Sequence, residues 1–394
     1  MGTLTLPRVQ SIATEFRNRF GRAPLVVRSP GRVNLIGEHT DYNEGFVLPG
    51  AIDKEIILAV GSRDDRTCRM VAADLGQTFE TSLDALARSH LGWPNYLLGV
   101  VDQLQKGGIQ MRGFECVFGG DIPIGSGMSS SAALEAGFLY GLNELHGLSL
   151  DRLRMARLAQ RSENEFVGLR CGIMDQFTNL FGHEGSVILL DCRSLQYEYV
   201  PFTRNDIRIV LCDTQVKHEL ASSEYNVRRG QCEAGVDVIR KHEPSVHSLR
   251  DIPRGLLDEH RREMEPIVYT RCAYVISENE RVLSGCDDLR RDDLEAFGGK
   301  MIQSHEGLRD EYQVSCAELD VLVEAALGVD GVYGARMMGG GFGGCTINLV
   351  REDHIQEFSG TVADSFKNMF GKAPKIYLSR ISGGTGIVNL DARG

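Results

Sequence analysis

Gly119-Gly-Asp-Ile-Pro-Ile-Gly-Ser-Gly-Met-Ser-Ser-Ser-Ala-Ala133 is the stretch on which the fold turns. Before it, Phe114, Cys116 and Phe118 alternate as in a strand; after it, Leu134, Phe138 and Leu142 keep helical spacing until Gly147. The glycine loop therefore joins a strand to a helix. Gly125 and Gly127 remove side chains where a phosphate would approach the backbone, and the following helix offers unpaired N–H groups and the positive end of its dipole. Ser129, Ser130 and Ser131 can add hydrogen bonds to phosphate oxygens, or a neutral oxygen ligand to magnesium. A bare loop capped by serine fits the same residues. Met128 stands where a Walker A loop needs lysine, and Ser130 where a dinucleotide fingerprint needs its third glycine. The loop is of a third kind.

Outward from this loop the chain reads as mixed strands and helices. Residues between Phe46 and Met70 read as strands joined by turns, Pro94 opens a helix that stops at Gly107, and a further helix is expected from about Asp151 to Phe166. Ser186 to Leu190 and Ile207 to Cys212 read as strands at a sheet edge or domain crossing, and Ser222 to Leu327 as mainly helical. A literal G-x-G-x-x-G occurs at Gly339, Gly341 and Gly344, but Cys345 to Val350 reads as a strand, so the helix that would bind a dinucleotide phosphate is missing. A turn between strands is the better reading. Without strict βαβ alternation the class is α+β, in two domains of residues 1–200 and 201–394, with the tail free to cross back to the first.

A chain of 394 residues favours two packed domains. The net charge of −11 would repel phosphate backbones, so nucleic acid is excluded as a partner. Met1 to Val9 has no apolar core of signal-peptide length, and no apolar run is long enough to span a membrane. A soluble cytoplasmic protein is expected, as a monomer. The 10 cysteines contain no C-x-x-C and read as reduced, mostly buried thiols. The 10 histidines show no paired-ligand spacing, so no dedicated zinc site is expected.

Two further segments concentrate chemistry. Arg28-Ser-Pro-Gly-Arg-Val-Asn-Leu-Ile-Gly-Glu-His-Thr-Asp-Tyr-Asn43 places Arg32, Asn34, Glu38, His39, Asp41 and Asn43 among turns. Sugar hydroxyls want such a mixture of carboxylates and amphoteric partners, although a solvated charged loop has the same composition. Asp175, twelve residues after Glu163, is flanked by Ile173, Met174 and Phe177, where a carboxylate needs a partner; a catalytic or metal role supplies one, and helix capping is the plainer alternative.

Together these segments resemble the GHMP kinase family. Gly31 to Tyr42 is similar to the signature of its galactokinase branch, Ile122 to Ala133 to its ATP-binding motif, and Met337 to Gly344 to its third motif, in the family's order; Ala221 to Arg229 is also similar. The resemblance implies an N-terminal domain with a mixed sheet and helices, a ferredoxin-like C-terminal domain, and an active site in the cleft. It implies transfer of a phosphoryl group from ATP to the anomeric hydroxyl of galactose, with Mg2+. Asp175 would be the catalytic base and Arg32 would keep it ionised and neutralise charge on the moving group. Glu38, His39 and Asp41 would bind sugar hydroxyls, with the Gly172 backbone and the Tyr225 hydroxyl. Ser131 and Glu163 would bind the metal, Gly125, Gly127, Ser129 and Ser130 would surround the phosphates, and Trp93, the single tryptophan, would stack on adenine. Pro94 departs from the small residue commoner after that tryptophan. A kinase for N-acetylgalactosamine or another sugar is the nearest alternative, and a galactose sensor without turnover the alternative from another class.

Overall fold

The computed structural model describes residues 5–123, 125–216 and 221–389; Ile124 of the first glycine loop, and the side chains of 221–223 in the Ala221 to Arg229 segment, lie outside the described residues. The first half runs α1 (Thr5–Phe20), β1 (Leu25–Asn34), β2 (Phe46–Val47), β3 (Pro49–Ser62), β4 (Thr67–Ala72), β5 (Gln77–Ser82), α2 (Pro94–Lys106), β6 (Phe114–Gly120), α3 (Ser130–His146), α4 (Arg152–Arg161) and α5 (Met174–Phe181). There follow β7 (Ser186–Asp191), β8 (Tyr197–Pro201), β9 (Ile207–Asp213), α6 (Ala221–Arg240), α7 (Arg254–Glu259), α8 (Pro266–Arg290), α9 (Leu294–Glu306) and α10 (Ala317–Leu327). The chain ends with β10 (Val332–Met337), β11 (Cys345–Arg351), α11 (Ile355–Phe370), β12 (Lys375–Ser379) and β13 (Gly386–Ile387).

Six strands form a mixed sheet in the order β13-β1-β3-β6-β4-β5, in which β4 and β6 pair in parallel and the other neighbours are antiparallel. Its two faces bury different residues. Val27, Leu58, Val60, Cys116 and Phe118 pack with residues of α2 and α3, while Val26, Ile57, Ala59, Val71 and Val117 pack on Val9, Ile12 and Phe16 of α1. β6 is therefore buried on both sides, and the alternation of its aromatic residues marks which helix layer each one meets rather than an exposed face.

The second sheet, β10-β11-β9-β12, is antiparallel throughout. Taken from β9 through its helical excursion to β10 and β11, then α11 and β12, the path is βαββαβ, a ferredoxin-like unit. Its buried strand side chains Val210, Cys212, Ala335 and Val350 pack on α10 and α11 through Leu322, Val323, Phe358 and Phe366. β7 lies in a separate three-stranded sheet with β2 and β8, and β9 is an inner strand of the ferredoxin-like unit, so the chain crosses between sheets just after residue 201. The last strand, β13, pairs with β1.

The helix expected from Asp151 to Phe166 departs from regularity. α4 gives way after Arg161 to a π-helical turn, Ser162–Val167. Neighbouring Ser162 and Glu163 at the start of that wider turn are both buried. The second glycine cluster forms the connection of the β10–β11 hairpin.

Candidate active site

β1 brings a charge into the interior at an irregularity. Its pairing with β3 shifts register between Pro30 and Arg32, and the turned backbone sends the Arg32 side chain, 6% exposed, between the first glycine loop and α5. There Nε donates to Asp175 Oδ1 at 2.8 Å and Nη2 to Oδ2 at 2.7 Å, the bidentate geometry in which a guanidinium fits a carboxylate best. Nη1 donates to the Gly127 carbonyl, and the Arg32 N–H to the Met128 carbonyl at 3.2 Å. Asp175, in the first turn of α5, also accepts from the Ser129 hydroxyl. One ion pair thus joins the sugar-type signature, the glycine loop and α5.

The loop itself has the backbone of an anion cradle. Gly125, Gly127 and Ser129 all have positive φ, at 79°, 76° and 57°, alternating with ordinary residues so that successive N–H groups turn to one side. Because the Ser129 hydroxyl is spent on Asp175 it makes no cap to α3, and the first N–H groups of that 17-residue helix stay available. Ser130 and Ser131 sit in the first turn of α3. Both line a cavity of about 170 Å3 with Trp93, Tyr96, Phe118, Ile122 and Leu134. Trp93 meets Phe118 edge-on at 5.4 Å and is oriented by donation from Nε1 to Gln77 at 2.7 Å. A flat apolar slot therefore opens beside the phosphate cradle.

Glu163, on the π turn, accepts from Gln176 Nε2 at 2.8 Å and faces the Ser131 hydroxyl. Burial, and then the charge of Asp175, pushes its carboxyl up to about 7. Behind it Glu135, fully buried, has its carboxyl pushed up by burial and by Glu163 and Asp175; one of its oxygens takes the Ser162 hydroxyl at 3.1 Å. Glu163 and Glu135, both pushed up by burial and by the carboxylates around them, stand with Asp175 and a serine hydroxyl alongside; this is a donor set suited to a hard divalent cation, whose charge would offset that repulsion.

The sugar-type segment folds over α5. The Asp41 carboxylate rests on Gly172 so closely that a Cβ there would lie 1.9 Å from Oδ2. Asp41 accepts the Tyr42 N–H at 2.9 Å; burial, then the charge of Asp175, pushes its carboxyl up to about 7. Tyr225 packs against Tyr42 at 5.1 Å and His39 at 5.5 Å, and burial followed by Asp41 raises its hydroxyl well above the usual range. Asp41 and Gly172 are thus in contact, with the charges of Asp175 and Arg32 acting on the Asp41 carboxyl and Asp41 and Asp175 acting on the Tyr225 hydroxyl. Glu38 and His39 are drawn deeper. Glu38 accepts from Arg336 Nη2 at 3.1 Å and the Gly339 N–H at 2.9 Å. His39 is 4% exposed, bonds Tyr42 through Nδ1 at 2.8 Å, and burial, with Arg228 next, pulls its imidazole down to about 3. Asn34 sits at the end of β1, where its side-chain oxygen accepts the Leu48 N–H at 3.2 Å.

Sequence reasoning missed Arg336, whose guanidinium is fully buried and donates to the Leu35 and Asn34 carbonyls as well as to Glu38. A single arginine inside a strand carries no signal of the carbonyls it meets some 300 residues earlier. It also missed Tyr42 and Tyr312. Away from this site, among the described residues, His242, His260 and Glu263 bring three ligand atoms within 4.8 Å of one another. The two imidazoles stack at 3.9 Å with planes 17° apart, so their in-plane lone pairs run side by side instead of converging on one ion.

A ferredoxin-like unit and a mixed sheet, with a strand–glycine loop–helix cradle and a second glycine hairpin stacked backbone to backbone on Gly127, define a GHMP-type small-molecule kinase fold. The model for the galactokinase galactose-binding signature matches residues 14–62, that for the GHMP kinase N-terminal domain residues 95–183, and that for the C-terminal domain residues 287–368. A galactokinase of Roseiflexus sp. is 42% identical over 379 residues, covering 96% of this chain and 97% of the relative; one of Clostridium perfringens (strain SM101) is 39% identical, covering 95% and 98%. The crystal structure of Lactococcus lactis galactokinase complexed with galactose superposes with a TM-score of 0.92 at 33% identity, over 97% of this chain and 100% of that one. The mevalonate kinase of Methanococcus jannaschii, 18% identical with a TM-score of 0.63, shares the fold, over 92% of this chain and 99% of that one. The chain belongs to the galactokinase family.

Proposed function

We propose that this protein transfers the terminal phosphoryl group of ATP to the anomeric hydroxyl of α-D-galactose, giving galactose 1-phosphate and ADP. The observation that carries the proposal is the Arg32–Asp175 pair, bonded to the phosphate cradle and with its charges acting on Asp41, which rests on Gly172. We further take residues 1–200 and 201–394 as the two domains flanking the site, and a monomer of the cytoplasm as the working form. Among the described residues no helix is long and apolar enough to cross a membrane.

Asp41 and the Tyr225 hydroxyl, with the Gly172 backbone, hold sugar hydroxyls; Glu38 and His39 support them from behind. Asp175 accepts the proton of the anomeric hydroxyl as its oxygen bonds to the γ-phosphorus and the bond to the β-phosphate oxygen breaks. Arg32 keeps that carboxylate in place and offers positive charge where the phosphoryl oxygens gain negative charge. Backbone N–H groups of Gly125 to Ser130 receive the phosphates, and Trp93 and Tyr96 close on the base. Ser131 and Glu163 would hold a magnesium ion, which when bound neutralises charge on the phosphate oxygens.

The test is ADP release by the purified protein with ATP and Mg2+ against galactose, N-acetylgalactosamine and other hexoses. Turnover highest with galactose is expected; turnover with another sugar and none with galactose refutes the proposal.

A further inference from the structure

A line of hydrogen bonds runs from the sugar-type loop into the helical region. His39 Nδ1 and the Tyr42 hydroxyl lie 2.8 Å apart, the Tyr42 and Tyr312 hydroxyls 2.8 Å, and the Tyr312 hydroxyl and Cys232 Sγ 3.2 Å. His39, Tyr312 and Cys232 are buried, so each group in the line depends on its neighbours for partners. The His39 imidazole is neutral, so one ring nitrogen donates and the other accepts, and what Nδ1 does with Tyr42 decides what Nε2 can do.

The far end of the line is rigid. Arg228 donates from Nε to the Tyr312 carbonyl at 3.0 Å and from Nη2 to the Gln313 carbonyl at 2.8 Å, and Arg271 donates to the carbonyl of Glu311. The near end branches. Tyr42 holds Asp41 through its N–H, His39 through its hydroxyl and Tyr225 through its ring. A shift of Tyr42 therefore moves the carboxylate, imidazole and phenol of the proposed sugar wall together.

We infer that Tyr312 is a positioning residue for sugar binding: its hydroxyl, fixed by the arginine-anchored segment 311–313, locks Tyr42 and through it Asp41, His39 and Tyr225. This rests on the galactose reading above. Tyr312→Phe keeps the ring in the core and removes one bond of the line. The KM for galactose should rise about fivefold, the effect of one neutral hydrogen bond, while kcat and the KM for ATP stay within about twofold. Cys232→Ser replaces the terminal thiol with a hydroxyl and should leave all three constants near wild type; Cys232→Ala should raise the galactose KM about twofold.

An unchanged galactose KM in Tyr312→Phe, an equal rise in the ATP KM, or a fall in kcat alone would overturn the inference. Should Tyr312→Phe fail to fold, Cys232→Ala decides, and a galactose KM equal to wild type then refutes it. A wild-type enzyme inactive on galactose would refute the proposed function instead, which keeps the two failures distinct.

Discussion

Arg32 and Asp175, 143 residues apart, face each other through two parallel hydrogen bonds of 2.8 and 2.7 Å, with the guanidinium also tied to the Gly127 carbonyl. Removing the arginine leaves Asp175 beside Asp41 and Glu163 with no counter-charge and takes positive charge from the transferring group. At about 4 Å and an effective dielectric near 20 such a charge contributes about 4 kcal/mol, or about a thousandfold in rate. Arg32→Ala should lower kcat by about that factor, whereas Tyr225→Phe, which loses one neutral contact, should cost about tenfold or less, mainly in galactose KM. Steady-state kinetics with comparable losses for the two variants would contradict the ranking.

Gly172 exists for space. A methyl group there would lie 1.9 Å from Asp41 Oδ2 and 2.2 Å from Cγ, so Gly172→Ala must expel the carboxylate from its seat. The galactose KM should rise by about tenfold or more with the ATP KM unchanged, as for loss of a charged hydrogen-bond acceptor. Equal galactose affinity by calorimetry would show that Asp41 does not need this seat.

Asp41 makes stability depend on pH. Its folded value near 7 lies above the ordinary 3.8, so the native state binds the extra proton. The contribution from this group is full below about pH 4 and is lost as pH rises through about 7. Asp41→Asn should therefore melt higher than wild type at pH 8 and at nearly the same temperature at pH 4, both without ligand, while binding galactose more weakly. A wild-type advantage at pH 8 would reverse the sign.

Glu38 and Arg336 are a buried pair, 3.1 Å apart and both nearly inaccessible. Glu38→Ala strands the arginine charge and frees the Gly339 N–H, and should cost about 3–5 kcal/mol of stability. Urea denaturation reads this directly. A loss under about 1 kcal/mol would mean that the three carbonyls around Arg336 suffice alone.

Trp93 is the chain's single tryptophan and lines the slot beside the cradle, so fluorescence excited selectively at tryptophan reports on that slot. ATP should change its intensity saturably, galactose alone should not, and Trp93→Ala should weaken ATP binding by about tenfold, the scale of one aromatic contact. A nucleotide titration with a flat signal would place the base elsewhere.

The residues by themselves determined the strand–glycine loop–helix unit, the hairpin at Gly339, the α+β class and the list of chemically apt side chains, because those follow from periodicity, backbone freedom and functional-group chemistry within a few neighbouring positions. The π turn after Arg161 was not legible, since a one-residue change of helical period leaves no mark in composition. The neighbours of Asp175 fit capping and chemistry alike, and its pairing with Arg32 comes from the β1 irregularity, 143 residues earlier. Glu38 and His39 read as equals of Asp41 in the same short segment, and the fold gives the three different partners: Glu38 meets Arg336, His39 meets Tyr42, and Asp41 rests on Gly172. Only tertiary structure decides such matters. The counter-charge of Glu38 comes from Arg336, 298 positions away, and the Tyr42 hydroxyl that meets His39 is itself held by Tyr312, 270 positions away, and no local pattern encodes such a distance.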